Sequence, residues 1–153
     1  MSLNLNLPVK DIMNKEIFFI HQDALVEEAA ALMVKNHING LPVCDDNGDI
    51  VGMITQGDLL IKATGIRIFT LWPHGSYESS QEMMKEYSKM IGTRVKEVMN
   101  DQPITIHPDR PVFYAAEIMY KQRVKQLPVV EEKKLVGFIE RITIVELLFK
   151  KEE

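Results

Sequence analysis

Thiol chemistry is nearly missing from this chain, whose 153 residues hold one cysteine, Cys44. A lone thiol excludes an internal disulfide and favours a reducing, cytoplasmic setting. Cys44 also lies in the apolar run Leu41-Pro42-Val43-Cys44, where a small core residue is expected rather than a nucleophile. No apolar stretch is long enough to span a bilayer, so no membrane partner is expected. The opening Met1-Ser2-Leu3-Asn4-Leu5-Asn6 lacks the basic flank and apolar core of a signal peptide. Basic charge is not in excess either: a net charge of −4 argues against nucleic acid, which demands a basic face. His37 and His74 have no cysteine or carboxylate at metal-ligand spacing. No trio of nucleophile, base and orienter stands out, so neither an enzyme nor a catalytic cofactor is expected.

The 46% apolar and 26% charged residues that are present describe a soluble globular protein. A chain of this length forms one ordinary domain or two small ones and buries about two-thirds of its unfolded surface, so it folds without a metal. Its dominant feature is a repeat. Val9-Lys10-Asp11-Ile12-Met13-Asn14 returns as Val95-Lys96-Glu97-Val98-Met99-Asn100, a shift of 86. The register then holds: Ile20-His21 matches Ile106-His107, Asp23 matches Asp109, Ala29-Ala30 matches Ala115-Ala116 and Met33 matches Met119. Leu41-Pro42-Val43 matches Leu127-Pro128-Val129, and after the loss of one residue Val51-Gly52 pairs with Val136-Gly137. The chain is therefore a tandem duplication, with residues 1–64 as one repeat, 65–93 as an insertion and 94–153 as the second repeat. The recurrence of His21 beside Asp23 as His107 beside Asp109 follows from that duplication, not from two active sites.

Both repeats have the same order of elements. A short apolar run (Ile17 to Ile20; Ile104 to Ile106) reads as a strand, and Asp23 and Asp109 stand where helix N-caps are expected. Pro111 falls in a first helical turn, where proline is tolerated. The helix from Ala24 carries Leu25, Ala29, Leu32 and Met33 on one face, and the second repeat places Val112, Ala115, Ala116 and Met119 similarly. Leu41-Pro42-Val43, the hairpin signal Asn47-Gly48 and a strand from Ile50 to Ile54 follow, then a closing helix. The second repeat has the charged turn Glu131-Glu132-Lys133-Lys134 instead. Each repeat is thus β-α-β-β-α, an α+β unit with its helices on one side of a small sheet. In the insertion, Ser79 and Glu82 predict a capping box opening a helix closed by Gly92, with Met83, Tyr87, Met90 and Ile91 as packing material. Trp72 reads as a buried anchor and His74 as part of a surface turn.

The stretch that bears on function is Gly52-Met53-Ile54-Thr55-Gln56-Gly57-Asp58-Leu59-Leu60, a buried strand running into a helix. Thr55 and Asp58 have two readings. A helix start attracts anions, and a carboxylate beside it accepts hydrogen bonds from a vicinal diol, which together suit a ribose phosphate. The same spacing is also close to a capping box, in which the acidic side chain returns to the backbone N–H of Thr55.

Two ordered sets of V-K-(D/E)-(I/V)-M-N, strand, helix, L-P-V-(C/V)-(D/E) and G-(M/F)-I resemble a tandem pair of CBS domains, a Bateman module. The resemblance covers about residues 9 to 64 and 94 to 150. It implies one pseudo-two-fold CBS-pair module with two clefts between the repeats that commonly take AMP, ADP, ATP or S-adenosylmethionine. Carried onto this sequence, it implies one ligand site made of Thr55, Asp58, Met53, Asn39 and Gly40 with Met99, Pro103, Ile104, Val124 and Lys125 from the opposite repeat. Asp58 would hold the ribose, and Lys125 would offset phosphate charge or simply be solvated. The second corner departs from the family pattern, with Glu140 at the hydroxyl position and Thr143 at the aspartate position. It is expected to be empty or to take an uncharged nucleoside with Arg141 as a donor. The implied function is a regulatory module that senses an adenine nucleotide or S-adenosylmethionine and relays its binding by a conformational change. The implied partners are a second copy in a homodimer, through faces such as Val145, Leu147, Leu148 and Phe149, and a separate effector protein. The alternative is a structural dimerisation or protein-interaction module without a nucleotide.

Overall fold

The computed structural model describes residues 5–64, 85, 88–89 and 91–149. The first repeat runs β1 (Ile20–His21), α1 (Val26–Asn36), β2 (Gly40–Cys44), β3 (Ile50–Thr55) and α2 (Gln56–Thr64). The second runs α3 (Val112–Lys121), β4 (Gln126–Glu131), β5 (Lys134–Glu140) and α4 (Arg141–Phe149). One sheet has the order β1-β2-β3 and the other pairs β4 with β5. β1 pairs in parallel with β2, placing Ile20 beside Val43. The second repeat keeps that pairing as one parallel bridge, Ile106 to Val129. The leading strand is therefore shorter than the apolar runs suggest. Expectations for Trp72, His74 and a helix opening at Ser79 and Glu82 lie outside the described residues, while Gly92 has the positive φ (+81°) of a helix-ending glycine.

The duplication is visible in the side chains. α1 buries Val26, Ala29 and Met33, and α3 buries Val112, Ala115 and Met119, the same three positions one repeat later. Each set follows i, i+3, i+7, which holds one helix face against the sheet. Leu41, Val43 and Ile54 complete one core, and Leu127, Val129 and Ile139 the other. A residue of positive φ follows each first helix, His37 at 53° directly after α1 and Arg123 at 55° two residues after α3.

The N-caps differ from the expectation. α1 is preceded by Leu25 and α3 by Pro111, so both helices begin beyond Asp23 and Asp109. The Leu25 N–H donates instead to the Glu28 carboxylate at 2.7 Å. Asp23 accepts from the Lys96 ammonium at 2.6 Å, and Asp109 from that of Lys10 at 2.8 Å. Those charge-assisted hydrogen bonds hold both carboxyls below the usual carboxylate range.

The two ion pairs expose an exchange between the repeats. One compact unit comprises Phe19–Asn47 and Val51–Pro103; the other comprises Met1–Phe18, Gly48–Ile50 and Ile104–Glu153. Each unit therefore combines the body of one repeat with the leading turn of the other. The exchange recurs bond by bond. In the first-repeat unit, the Val95 N–H donates to Ala24 O and the Lys96 N–H to Gln22 O, while Met53 and Asn100 exchange backbone bonds. In the second-repeat unit, the Val9 N–H donates to Arg110 O and the Lys10 N–H to Pro108 O, while Phe138 and Asn14 exchange theirs. Val95 and Val9, both fully buried, each complete the core of the opposite repeat.

The hairpin turns differ in strain. Gly48 supplies positive φ at no steric cost in the first repeat, whereas Glu132 (47°) and Lys133 (69°) both adopt it between β4 and β5. Two central residues with φ > 0 are what a two-residue type I′ turn requires, and Asn-Gly is its preferred pair. Left-handed backbone costs a residue with a Cβ roughly 1–2 kcal/mol. Replacing the pair by Glu132→Asn and Lys133→Gly is expected to stabilise the chain by about 1 kcal/mol in urea melts. An unchanged or lower midpoint would show that this turn carries no such strain.

Candidate functional site

The corner between β3 and α2 is closed by three hydrogen bonds. The Thr55 N–H and the Thr55 hydroxyl both donate to Asp58 Oδ2 at 2.8 Å, and the Asp58 N–H donates to Thr55 Oγ1 at 3.2 Å. Of the two sequence readings, the capping box is therefore present: the carboxylate is folded back onto the main chain at Thr55. All of its bonds fall on Oδ2, and Oδ1 has no partner among the described residues. Both side chains are half-buried. A carboxylate offers about four lone-pair sites, so an Asp58 that caps α2 keeps acceptor capacity beyond the cap.

Gln56 ties this corner to β2, a role not evident in the sequence. Its N–H donates to Asn39 O at 2.9 Å, and its side-chain amide donates to Ile38 O at 3.0 Å. Asn39 is exposed, and Gly40 is buried as the first residue of β2. Met53 is buried in β3 and paired with Asn100, while the Met99 side chain lies against Gly52. Together with the half-buried Pro103, these seven of the ten expected ligand residues belong to the first-repeat unit. Ile104, Val124 and Lys125 belong to the other unit. Ile104 and Val124 pack against its core, and the Lys125 side chain is exposed.

In the second repeat Arg141 takes the place of Gln56. Its N–H donates to Lys125 O, and its guanidinium donates to Val124 O, each at 2.9 Å. The group expected to serve a nucleoside as a donor is thus used to clamp β4 to α4. No hydrogen bond joins Glu140 to Thr143 among the described residues, so the closed Thr55–Asp58 box has no counterpart there. Gln126, at the position of Gly40, pairs in register with Glu140. It is 8% exposed, and its Oε1 has no partner among the described residues. Only the departure from glycine at this position hinted at it.

No group of three or more histidine, cysteine or acidic side chains that would hold a metal occurs among the described residues. No helix there is long and apolar enough to cross a membrane.

Comparison with known proteins agrees with the duplicated fold. The family model for the CBS domain matches twice, over residues 9–65 and 95–150. An uncharacterised protein of Methanocaldococcus jannaschii is 30% identical over 95% of each chain. The crystal structure of CBSX2 in complex with AMP superimposes with a TM-score of 0.73 at 26% identity, covering 94% of this chain and 97% of that one. The CBS domain pair of protein MJ0100, in complex with 5′-methylthioadenosine and S-adenosylmethionine, gives 0.71 at 27% identity over 95% and 98%. A family match over both repeats, joined to a β-α-β-β-α order written twice, places this chain in the CBS-domain family as a tandem CBS pair.

Proposed function

We propose that this chain is a regulatory binding module for an adenosine-containing ligand, AMP, ADP, ATP or S-adenosylmethionine, and performs no chemistry of its own. The observation that carries this reading is the Thr55–Asp58 corner, in which Asp58 Oδ1 remains available while Oδ2 closes the helix cap. In this reading Oδ1 accepts from a ribose hydroxyl, and the Thr55 hydroxyl turns from Asp58 toward phosphate. Met53, Asn39, Gly40, Met99 and Pro103 contribute from the same unit. Two similar CBS pairs, CBSX2 and MJ0100, were crystallised with ligands of this class. Ligand binding is passed on where the two states of the module differ in affinity, and a separate effector protein reads the change. Two copies pair through α4, on which Val145 and Phe149 stand exposed.

The test separates cap from ligand. A charge-assisted hydrogen bond contributes about 1.5–3 kcal/mol, and a tenfold change in affinity is about 1.4 kcal/mol. Asp58→Ala is therefore expected to weaken nucleotide binding tenfold or more, and to lose about 0.5–2 kcal/mol of stability with its cap. Asp58→Asn retains an acceptor for the Thr55 N–H, so it should keep the stability and still lose the affinity. Thr143→Ala should change neither. Calorimetric titration of each variant with AMP, ATP and S-adenosylmethionine reads the outcome; equal losses at Asp58 and Thr143, or none, reject the assignment.

A second reading is favoured by the capping box itself: a structural dimerisation module in which Asp58 serves only α2. It predicts no thermal shift with any of these ligands, whereas a ligand at a hundred times its Kd stabilises by about 2.7 kcal/mol.

A further inference from the structure

The two strands that lead to the corners begin at one joint. β3 runs from Ile50 to the Thr55–Asp58 corner, and β5 from Lys134 to Glu140, where the second corner starts. At their first ends the Ile50 N–H donates to Lys133 O at 2.9 Å, and Asp49 forms an antiparallel bridge with Lys134. A bond from the residue after Asp49 to the residue before Lys134 makes these two a non-hydrogen-bonded pair, the closer kind, with Cα atoms about 4.5 Å apart. The Lys134 ammonium lies 2.5 Å from the Asp49 carboxylate. Asp49 and Lys134 are also equivalent positions in the alignment that pairs Val51 with Val136. The repeats therefore carry opposite charge at a place where equivalent residues meet.

This joint sits where the chain changes unit. Gly48–Ile50 belongs to the second-repeat unit and Val51 onward to the first-repeat unit, so β3 enters both without an intervening loop. Met53, which exchanges backbone bonds with Asn100, holds the strand in the first-repeat unit. Its last residue, Thr55, is the one whose N–H and hydroxyl close on Asp58. A change at Thr55 thus reaches Asp49 along six residues of strand, about 20 Å. The ion pair opens at little cost, its Asp49 and Lys134 side chains being 26% and 51% exposed. We propose that the Asp49–Lys134 joint couples the Thr55–Asp58 corner to the second-repeat unit. The corner binds its adenosine-containing ligand more tightly with the joint closed, and by reciprocity the bound ligand holds the joint closed. This regulation rests on the nucleotide reading of the same corner.

Charge reversal at the joint tests the coupling. In Asp49→Lys a lysine faces Lys134, and like charges directly opposite each other destabilise a strand pair. AMP, ATP and S-adenosylmethionine, titrated calorimetrically, should bind this variant about fivefold more weakly than the original chain. A direct charge effect cannot imitate that result, since about 20 Å is more than two Debye lengths at physiological salt and an added cation would strengthen the binding of AMP and ATP. Asp49→Lys combined with Lys134→Asp restores an opposite pair and should restore the affinity. In the original chain, saturating ligand should slow hydrogen exchange at the Ile50 amide more than at the Ile106 amide, which bonds to Pro128 O inside the second-repeat unit. Unchanged affinity in Asp49→Lys, an unrestored double variant, or equal slowing at the two amides overturns the coupling and leaves the nucleotide reading standing. Absence of binding by the original chain overturns both.

Discussion

Gly52→Ala should lose about 1–3 kcal/mol of stability, the usual cost of forcing a methyl group into a filled interior. A Cβ at this position would lie 2.9 Å from Asn100 O and 3.1 Å from Met99 Cγ, and would also meet the Met99 sulfur. The carbonyl cannot retreat, because Asn100 O accepts the Met53 N–H at 2.9 Å as part of the exchange. The equivalent Gly137 has a different neighbour. There the three atoms nearest the Cβ all belong to the Met13 side chain, Cγ at 2.8 Å and Cε at 3.2 Å beside the sulfur, so no carbonyl stands as near as at Gly52. A methionine has several rotatable bonds and repacks readily. The glycines are equivalent in sequence and should differ in their double mutants. Met13→Ala is expected to restore most of what Gly137→Ala removes, whereas Met99→Ala should recover only a minor part at Gly52, where the carbonyl obstacle remains. Urea denaturation of the two double-mutant cycles measures this. Equal rescue at both sites would show that methionine, not backbone, limits the space at Gly52.

Separating the repeats should abolish folding of both halves. Residues 1–64 lack Val95 and the bonds of Lys96 to Gln22 and Asp23; residues 91–153 lack Val9 and the bonds of Lys10 to Pro108 and Asp109. Each half then has a core open at the side where a fully buried valine belongs, on a chain too short to tolerate the loss. Expressed alone, each is expected to show no cooperative thermal transition by circular dichroism. Mixed in equal amounts, they should regain one, since each supplies the turn that the other needs, and the midpoint should rise with concentration. A sharp transition in either half alone would mean that the exchanged turn is dispensable.

The interior was open to inspection from the chain alone because duplication tests its own alignment. Ala29 with Ala115 and Met33 with Met119 were paired by register and are buried at the same places. The helix starts were less legible. Asp23 and Asp109 stand where caps belong, yet each faces a lysine 73 or 99 positions away, and such a partner leaves no local trace. The Thr55–Asp58 corner was legible as a choice between cap and ligand group. Coordinates added that the cap occupies one carboxylate oxygen and leaves the other. Gln56 and Arg141, whose side chains clamp β2 and β4, gave no signal because glutamine and arginine open many helices without such a task.

What this sequence determined by itself was the unit, its duplication and the inequality of its two corners, all properties of residue type and spacing that survive in an unfolded chain. Only the tertiary structure decided which turn completes which core, and that Val9 and Val95 belong to the opposite bodies. The physical reason lies in the near-identity of the two turns: Val9-Lys10 and Val95-Lys96 carry the same side chains and would satisfy either body equally well by chemistry. Residue type therefore does not choose between the two arrangements; the backbone bonds of each turn to the opposite body do.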